Sequence, residues 1–97
     1  MADALVTERL AGCVNIIDAV ESIYRWQGKV KHDRETLMII KTTSLSYAEL
    51  EQRVRELHSY DTPEIVAVEI NRGSEGYLEW LRDSTVKEDV RNDDADT

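Results

Sequence analysis

One nitrogen donor and three oxygen donors fall close together in Leu57-His58-Ser59-Tyr60-Asp61-Thr62-Pro63-Glu64-Ile65. A neutral imidazole is a good copper ligand, and Tyr60, Asp61 and Glu64 offer oxygens beside it. His58 and Glu64 are therefore the candidate metal ligands. The alternative for His58 is a residue at a helix end, interacting with the helix dipole and the last carbonyls. Pro63, the only proline, fixes its own φ and pushes the preceding residue out of the helical region. The chain is expected to leave a helix at His58, turn, and enter a strand at Glu64.

The remaining reactive side chains are scattered. Cys13 is the only cysteine, so one chain holds neither an internal disulfide nor a multi-cysteine metal cage. It is expected to pack as a small buried residue, with soft Cu(I) ligation as the alternative. His32 beside Asp33 reads as exposed in a polar turn. Tyr24, Trp26 and Trp80 could stack on a ligand, but packing at a subunit interface is the expectation. Lys29 and Lys41 could hold an anion, against a plainer role in keeping strand edges soluble. Nothing in the order of residues gives a serine-histidine-acid set. Gly73-Ser74-Glu75-Gly76 lacks the glycines and following lysine of a phosphate loop. Glu49, Glu51 and Glu56 read as solvated charges on one helix. No residue set supplies nucleophile, base and oxyanion donors together, so an enzyme is not expected.

The elements that must position these groups follow from hydrophobic period. Residues 2–11 read as a helix, with Val6 and Leu10 on one face and Gly12 placed to terminate it. Residues 13–17 read as a strand and 18–21 as a bulge or bend. Residues 22–30 alternate, with Tyr24 and Trp26 on one side and Ile23 and Arg25 on the other. Gly28 reads as a bulge or close approach, and residues 31–34 as a polar turn. Residues 36–42 form a strand whose run Leu37-Met38-Ile39-Ile40 suits a central strand covered on both faces, or one covered by a helix on one face and a partner subunit on the other. Residues 46–58 form a helix with a capping box at Ser46 and Glu49 and a staple between Leu45 and Leu50. Tyr47, Leu50, Val54 and Leu57 make its apolar stripe. Residues 64–70 read as a strand with Val66, Val68 and Ile70 on one side. Ser74 caps a short final helix, in which Tyr77, Trp80 and Leu81 share a face. From residue 86 the chain is acidic and almost without apolar residues, which reads as a disordered tail after a domain spanning 1–85.

The order helix, strand, strand, helix, strand, helix is an α+β pattern. It is the ferredoxin-like split β-α-β sandwich with its first strand missing. That strand would lie inside the sheet, so its loss is expected to leave unpaired backbone groups and an apolar groove.

Length and charge restrict the partners. Ninety-seven residues make one domain whose core is modest alone, and oligomerisation is a common remedy. With 41% hydrophobic and 33% charged residues, the chain has a globular composition. The net charge of −8 argues against nucleic acid and anionic membrane as partners. No apolar run approaches the roughly 20 residues of a membrane span, and no signal peptide is apparent at Met1. The expected location is cytoplasmic.

Several segments together resemble the CutA divalent-cation tolerance proteins. They are Glu8-Arg9-Leu10-Ala11-Gly12-Cys13-Val14-Asn15, Ser22-Ile23-Tyr24-Arg25-Trp26-Gln27-Gly28-Lys29, Ile40-Lys41-Thr42-Thr43, Glu56 to Ile65, and Tyr77-Leu78-Glu79-Trp80. They stand in the family's order and spacing across residues 4–84. The resemblance implies a homotrimer of ferredoxin-like subunits, similar to the nitrogen-regulatory signal-transduction trimers, with edge strands paired between subunits. It implies copper or another divalent metal as ligand, response to metal ions as function, and no established catalysis. His58 matches a proposed metal-binding position in that family. The alternative is a trimeric module that senses a small ligand or scaffolds, with Lys29 and Lys41 holding an anion in the cleft between subunits. Family members carry an upstream apolar strand and a cysteine on it, and neither has a counterpart here. Cys13 is a different position and does not inherit that role. A start assigned too late, or a shortened chain, is the corresponding expectation.

Overall fold

The computed structural model describes residues 1–58 and 63–86. Its elements run α1 (Ala2–Thr7), β1 (Cys13–Trp26), β2 (Lys29–Lys41), α2 (Ser44–Leu57) and α3 (Glu75–Ser84). β1 and β2 form a two-stranded antiparallel sheet. The architecture is α+β, as the residue pattern indicates.

α1 stops earlier than its apolar spacing indicates, and the terminator is Arg9 rather than Gly12. Arg9 adopts a left-handed φ of 62°. Its amide donates to the Val6 carbonyl at 3.1 Å, and the Leu10 amide donates to the Leu5 carbonyl at 2.9 Å. This pair of reversed bonds is a Schellman closure, and it folds Leu10 back onto Leu5. Both leucines are buried in one cluster with Ala11, Leu50 and Val54. Burial of Leu10 therefore ends the helix. Gly12 has another duty: a Cβ there would lie 2.6 Å from Leu81 Cδ1, so its bareness lets α3 approach.

The ribbon is longer than expected, and its turn is elsewhere. Trp26 pairs with Lys29, leaving a two-residue connection in which Gln27 and Gly28 have φ of 51° and 79°. Positive φ at both positions is the type I′ signature, whose twist matches the flanking strands. Gly28 is thus a turn glycine. Residues 31–34 are not a turn, because they pair with residues 24–21 inside β2. Their polarity reflects strands exposed to solvent on both faces. The bulge expected near residue 18 is present: Ile17 pairs with Leu37 and Val20 with Glu35, so Asp18 and Ala19 oppose Thr36 alone. Ala19 takes a φ of 58° there.

α2 carries the expected stripe, with Leu50 and Val54 buried and Leu57 packed against the cluster. Its start differs. Thr43 is the N-cap and makes no side-chain bond to the helix backbone, so the Ser46–Glu49 box does not form. Leu45 is 98% exposed, which rules out the staple. Ser74 is the N-cap of α3, as its position indicates, but without a side-chain capping bond. Tyr77 and Trp80 meet at a tilt of 40° with ring centroids 5.5 Å apart, and Leu81 of the same helix is buried.

Residues 64–70 do not form the expected strand. They follow Pro63 in irregular conformation, with no ladder to β1 or β2. The physical reason is that, among the described residues, no strand lies beside them, and a strand is stable only when its amides and carbonyls are paired. The tail from residue 87 lies outside the described residues.

Candidate functional site

His58 stands where its sequence position indicates, as the C-cap of α2 with extended φ and ψ of −82° and 143°. Its backbone amide donates to the Val54 carbonyl at 2.9 Å, and the residue is half-buried. Glu64 is exposed on the far side of residues 59–62, which are outside the described residues and include Tyr60 and Asp61. Among the described residues, no three His, Cys, Asp or Glu side chains come together as a metal-binding group. His58 and Glu64 therefore do not constitute a complete site by themselves. A metal held at His58 requires donors from residues 59–62 or from another molecule.

The other candidates are spread along the ribbon. Cys13 opens β1 and is only partly buried, with its thiol 3.9 Å from Asn15 Oδ1. Lys41 Nζ donates to the same Asn15 Oδ1 at 2.5 Å. Lys29 sits at the opposite end of β2, roughly 40 Å away at about 3.3 Å per residue. One subunit therefore does not bring the two lysines to a common anion. His32 pairs with Ile23 in mid-ribbon and is exposed. The Tyr24 hydroxyl donates to Asp33 Oδ2, and Ser22 Oγ donates to Glu35 Oε2 at 2.8 Å. These are cross-strand ties on an exposed ribbon.

Sequence reading missed the polar cluster at the helix pair. Arg53 Nε and Nη2 donate to the two carboxylate oxygens of Glu8 at 2.9 and 3.0 Å, and Nη1 donates to Glu56 at 3.2 Å. The Glu8 bonds first, and Glu56 second, push the guanidinium pKa above its ordinary value. A shallow depression of about 210 Å³ lies beside them, lined also by Leu10, Glu49 and Gln52. A second, of about 390 Å³, lies between the end of α1 and α3 at Arg9, Gly12, Trp80 and Ser84. Residues 8 and 53 are too far apart in sequence for spacing to couple them. On the outer turn of α2, a Tyr47 hydroxyl bond and the Arg55 guanidinium hold the Glu51 carboxyl below the usual range.

The described residues thus define a small α+β protein with exposed sheet faces. Residues 1–84 match the family model of the CutA1 divalent ion tolerance protein. The chain belongs to that family. It is 53% identical over 85 residues to the divalent-cation tolerance protein CutA of Thermus thermophilus, covering 88% of this chain and 82% of that one. It is 48% identical to the chloroplastic protein CutA of Arabidopsis thaliana, of which it spans 47%. The solved Cut A1 structure from Thermus thermophilus superposes with a TM-score of 0.85 at 53% identity, covering 88% and 82% of the two chains. A periplasmic divalent cation tolerance protein CutA from Archaeoglobus fulgidus superposes at 0.84 with 39% identity and the same coverage. No helix among the described residues is long and apolar enough to cross a membrane.

Proposed function

We propose that the chain acts in tolerance of divalent cations by binding copper or another divalent metal, by coordination without turnover. The observation that carries this reading is the family match across residues 1–84. His58 and Glu64 are the proposed ligands, completed by donors from residues 59–62 or from a neighbouring subunit. Imidazole nitrogen with carboxylate oxygen is a donor set that copper accepts. The protein is proposed to work in the cytoplasm as a homotrimer of ferredoxin-like subunits, without nucleic acid or membrane as partner.

The trimer has support in the ribbon. On the sheet face away from the helices, Ile17, Leu37 and Ile39 remain about half exposed, with Trp26 farther along. An apolar stripe of this kind favours cover by another protein surface. A second reading, a small ligand sensed in the cleft between subunits, is favoured by Trp26 beside Lys29 at the turn. An aromatic ring next to a cation suits an anionic, planar compound, the ring by stacking and the cation by charge.

Calorimetric titration of copper into purified protein, compared with His58→Ala, tests the first reading. Weaker binding in the variant is expected, and unchanged affinity and stoichiometry would remove His58 from the site. Light scattering should give the mass of three chains, and a stable monomer would contradict the assembly. A thermal-shift screen of metabolites at fixed metal should stabilise the protein if the cleft binds a small ligand.

A further inference from the structure

We infer that Arg53 is a positioning residue for the metal site: its ion pairs to Glu8 and Glu56 brace the end of α2 and so hold His58 where it can coordinate. This role rests on the reading of His58 as a ligand, and it names the device that presents the imidazole. His58 is the C-cap of α2, with its amide bonded to the Val54 carbonyl at 2.9 Å. A helix end leaves its final carbonyls without intrahelical partners, so the last turn is the first part of a helix to open. When it opens, the imidazole loses its place relative to every other donor.

Two different forces hold that turn. On its inner side Val54 lies in the buried cluster and Leu57 packs against it. On its outer side Arg53 takes both carboxylate oxygens of Glu8 through Nε and Nη2, and Glu56, two residues before His58, through Nη1. Glu8 is a firm anchor. It is the C-cap of α1, its amide donates to the Ala4 carbonyl at 2.9 Å, and the chain reverses just after it at Arg9. The guanidinium thus ties the end of one helix to the end of the other. An isolated surface ion pair contributes little. This one is a fork gripping both oxygens of a carboxylate, with a third bond besides, which is the strong form of the contact. Arg55, in the last turn itself, pairs with Glu51 of the same helix and makes no such tie.

The test compares Arg53→Met with Arg55→Met in the full 97-residue chain. Each removes one cation, but only the first cuts the tie to α1. Without metal, Arg53→Met should speed amide exchange at residues 56–58 by about threefold or more, and Arg55→Met should not. Calorimetric titration with copper(II) should show an affinity about three- to tenfold weaker in Arg53→Met, because only the closed fraction of the turn binds. The sign is informative: by charge alone, removing a cation from a chain of net charge −8 would favour a dication. The paramagnetic resonance spectrum at saturating copper should match wild type, since no ligand has changed. Glu8→Gln should weaken binding in the same sense from the other side of the clasp. In a His58→Ala background, Arg53→Met should cause no further weakening, because it acts through the imidazole. Unchanged affinity in Arg53→Met beside a weakened His58→Ala would overturn the inference and leave the ligand assignment standing. An equal loss in Arg55→Met, or a loss that persists in the His58→Ala background, would overturn it too. No effect of His58→Ala alone would remove the ligand assignment itself, and this role with it.

Discussion

The two ends of the same ribbon are held in different ways. Near the helices, Val14 of β1 and Ile40 of β2 lie opposite each other and pack on the buried cluster. Beyond the bulge, residues 20–35 have almost no burial, with Ile23, Trp26 and Val30 all more than half exposed. There the strands rely on a tight turn and on hydroxyl–carboxylate pairs at Ser22–Glu35 and Tyr24–Asp33. An isolated two-stranded hairpin is marginal in water. The comparison teaches that burial anchors the base, whereas local geometry alone sets the register of the outer ribbon.

The largest expected effect comes from breaking the base. Leu5 is fully buried at the centre of the cluster. Leu5→Ala should destabilise the fold by about 2–5 kcal/mol, measured by urea denaturation. A loss no larger than that of an outer-ribbon variant would dissolve the distinction between the two ends. Gly12→Ala comes next. Its new Cβ would meet Leu81, which is itself buried and has little room to yield. A cost of about 1–3 kcal/mol is expected, with α3 loosened first in hydrogen exchange.

Gly28→Ala probes the other end. Nothing lies within 4 Å of the added Cβ, so the penalty is purely the left-handed φ of 79°. It should be roughly 1–2 kcal/mol and should speed exchange in residues 20–35 without disturbing α2. Equal acceleration in both regions would mean that the ribbon and the base open together.

The smallest effect is a pH dependence on α2. The Tyr47 hydroxyl bond, and then Arg55, lower the Glu51 carboxyl in the folded state, while the same bond raises the tyrosine. The lowered carboxyl contributes stability above its unfolded pKa, and this fades as pH falls through the lowered folded value. The raised phenol contributes below its unfolded pKa and fades as pH climbs through its folded one. Tyr47→Phe should therefore lower Tm slightly near pH 7 and leave the gap to wild type narrower at pH 3. A gap that widens in acid would contradict the contact.

Much of this was legible in the residues, for identifiable reasons. The α2 stripe of Leu50, Val54 and Leu57 follows from period alone. The bulge near residue 18 was marked by a break in alternation, and the motif order pointed to the family. The errors share a cause, which is that polarity was read as a turn and apolarity as local order. Lys31-His32-Asp33-Arg34 is polar because the ribbon stands in solvent, and the true turn at Gln27 and Gly28 is a conformational signal. The end of α1 was hidden because Leu10 continues the helical period while folding back on Leu5. Residues 64–70 have strand composition, but pairing is not a property of one segment. The metal ligands were legible only as types: His58 is placed by its helix end, and nothing in the spacing states what joins it.

The extra residue at Asp18 and Ala19 has a consequence for heredity. The two residues together oppose Thr36, so the additional codon is absorbed locally and every pair beyond it keeps its partner. Tyr24 and Trp26 therefore share the outward side with Ile17 and Leu37, and Ile23 and Arg25 lie on the reverse. Deleting Ala19 would leave an unbroken ladder with the same pairs on the same sides. An in-frame indel at this one point is thus a change that the ribbon's outward surface survives.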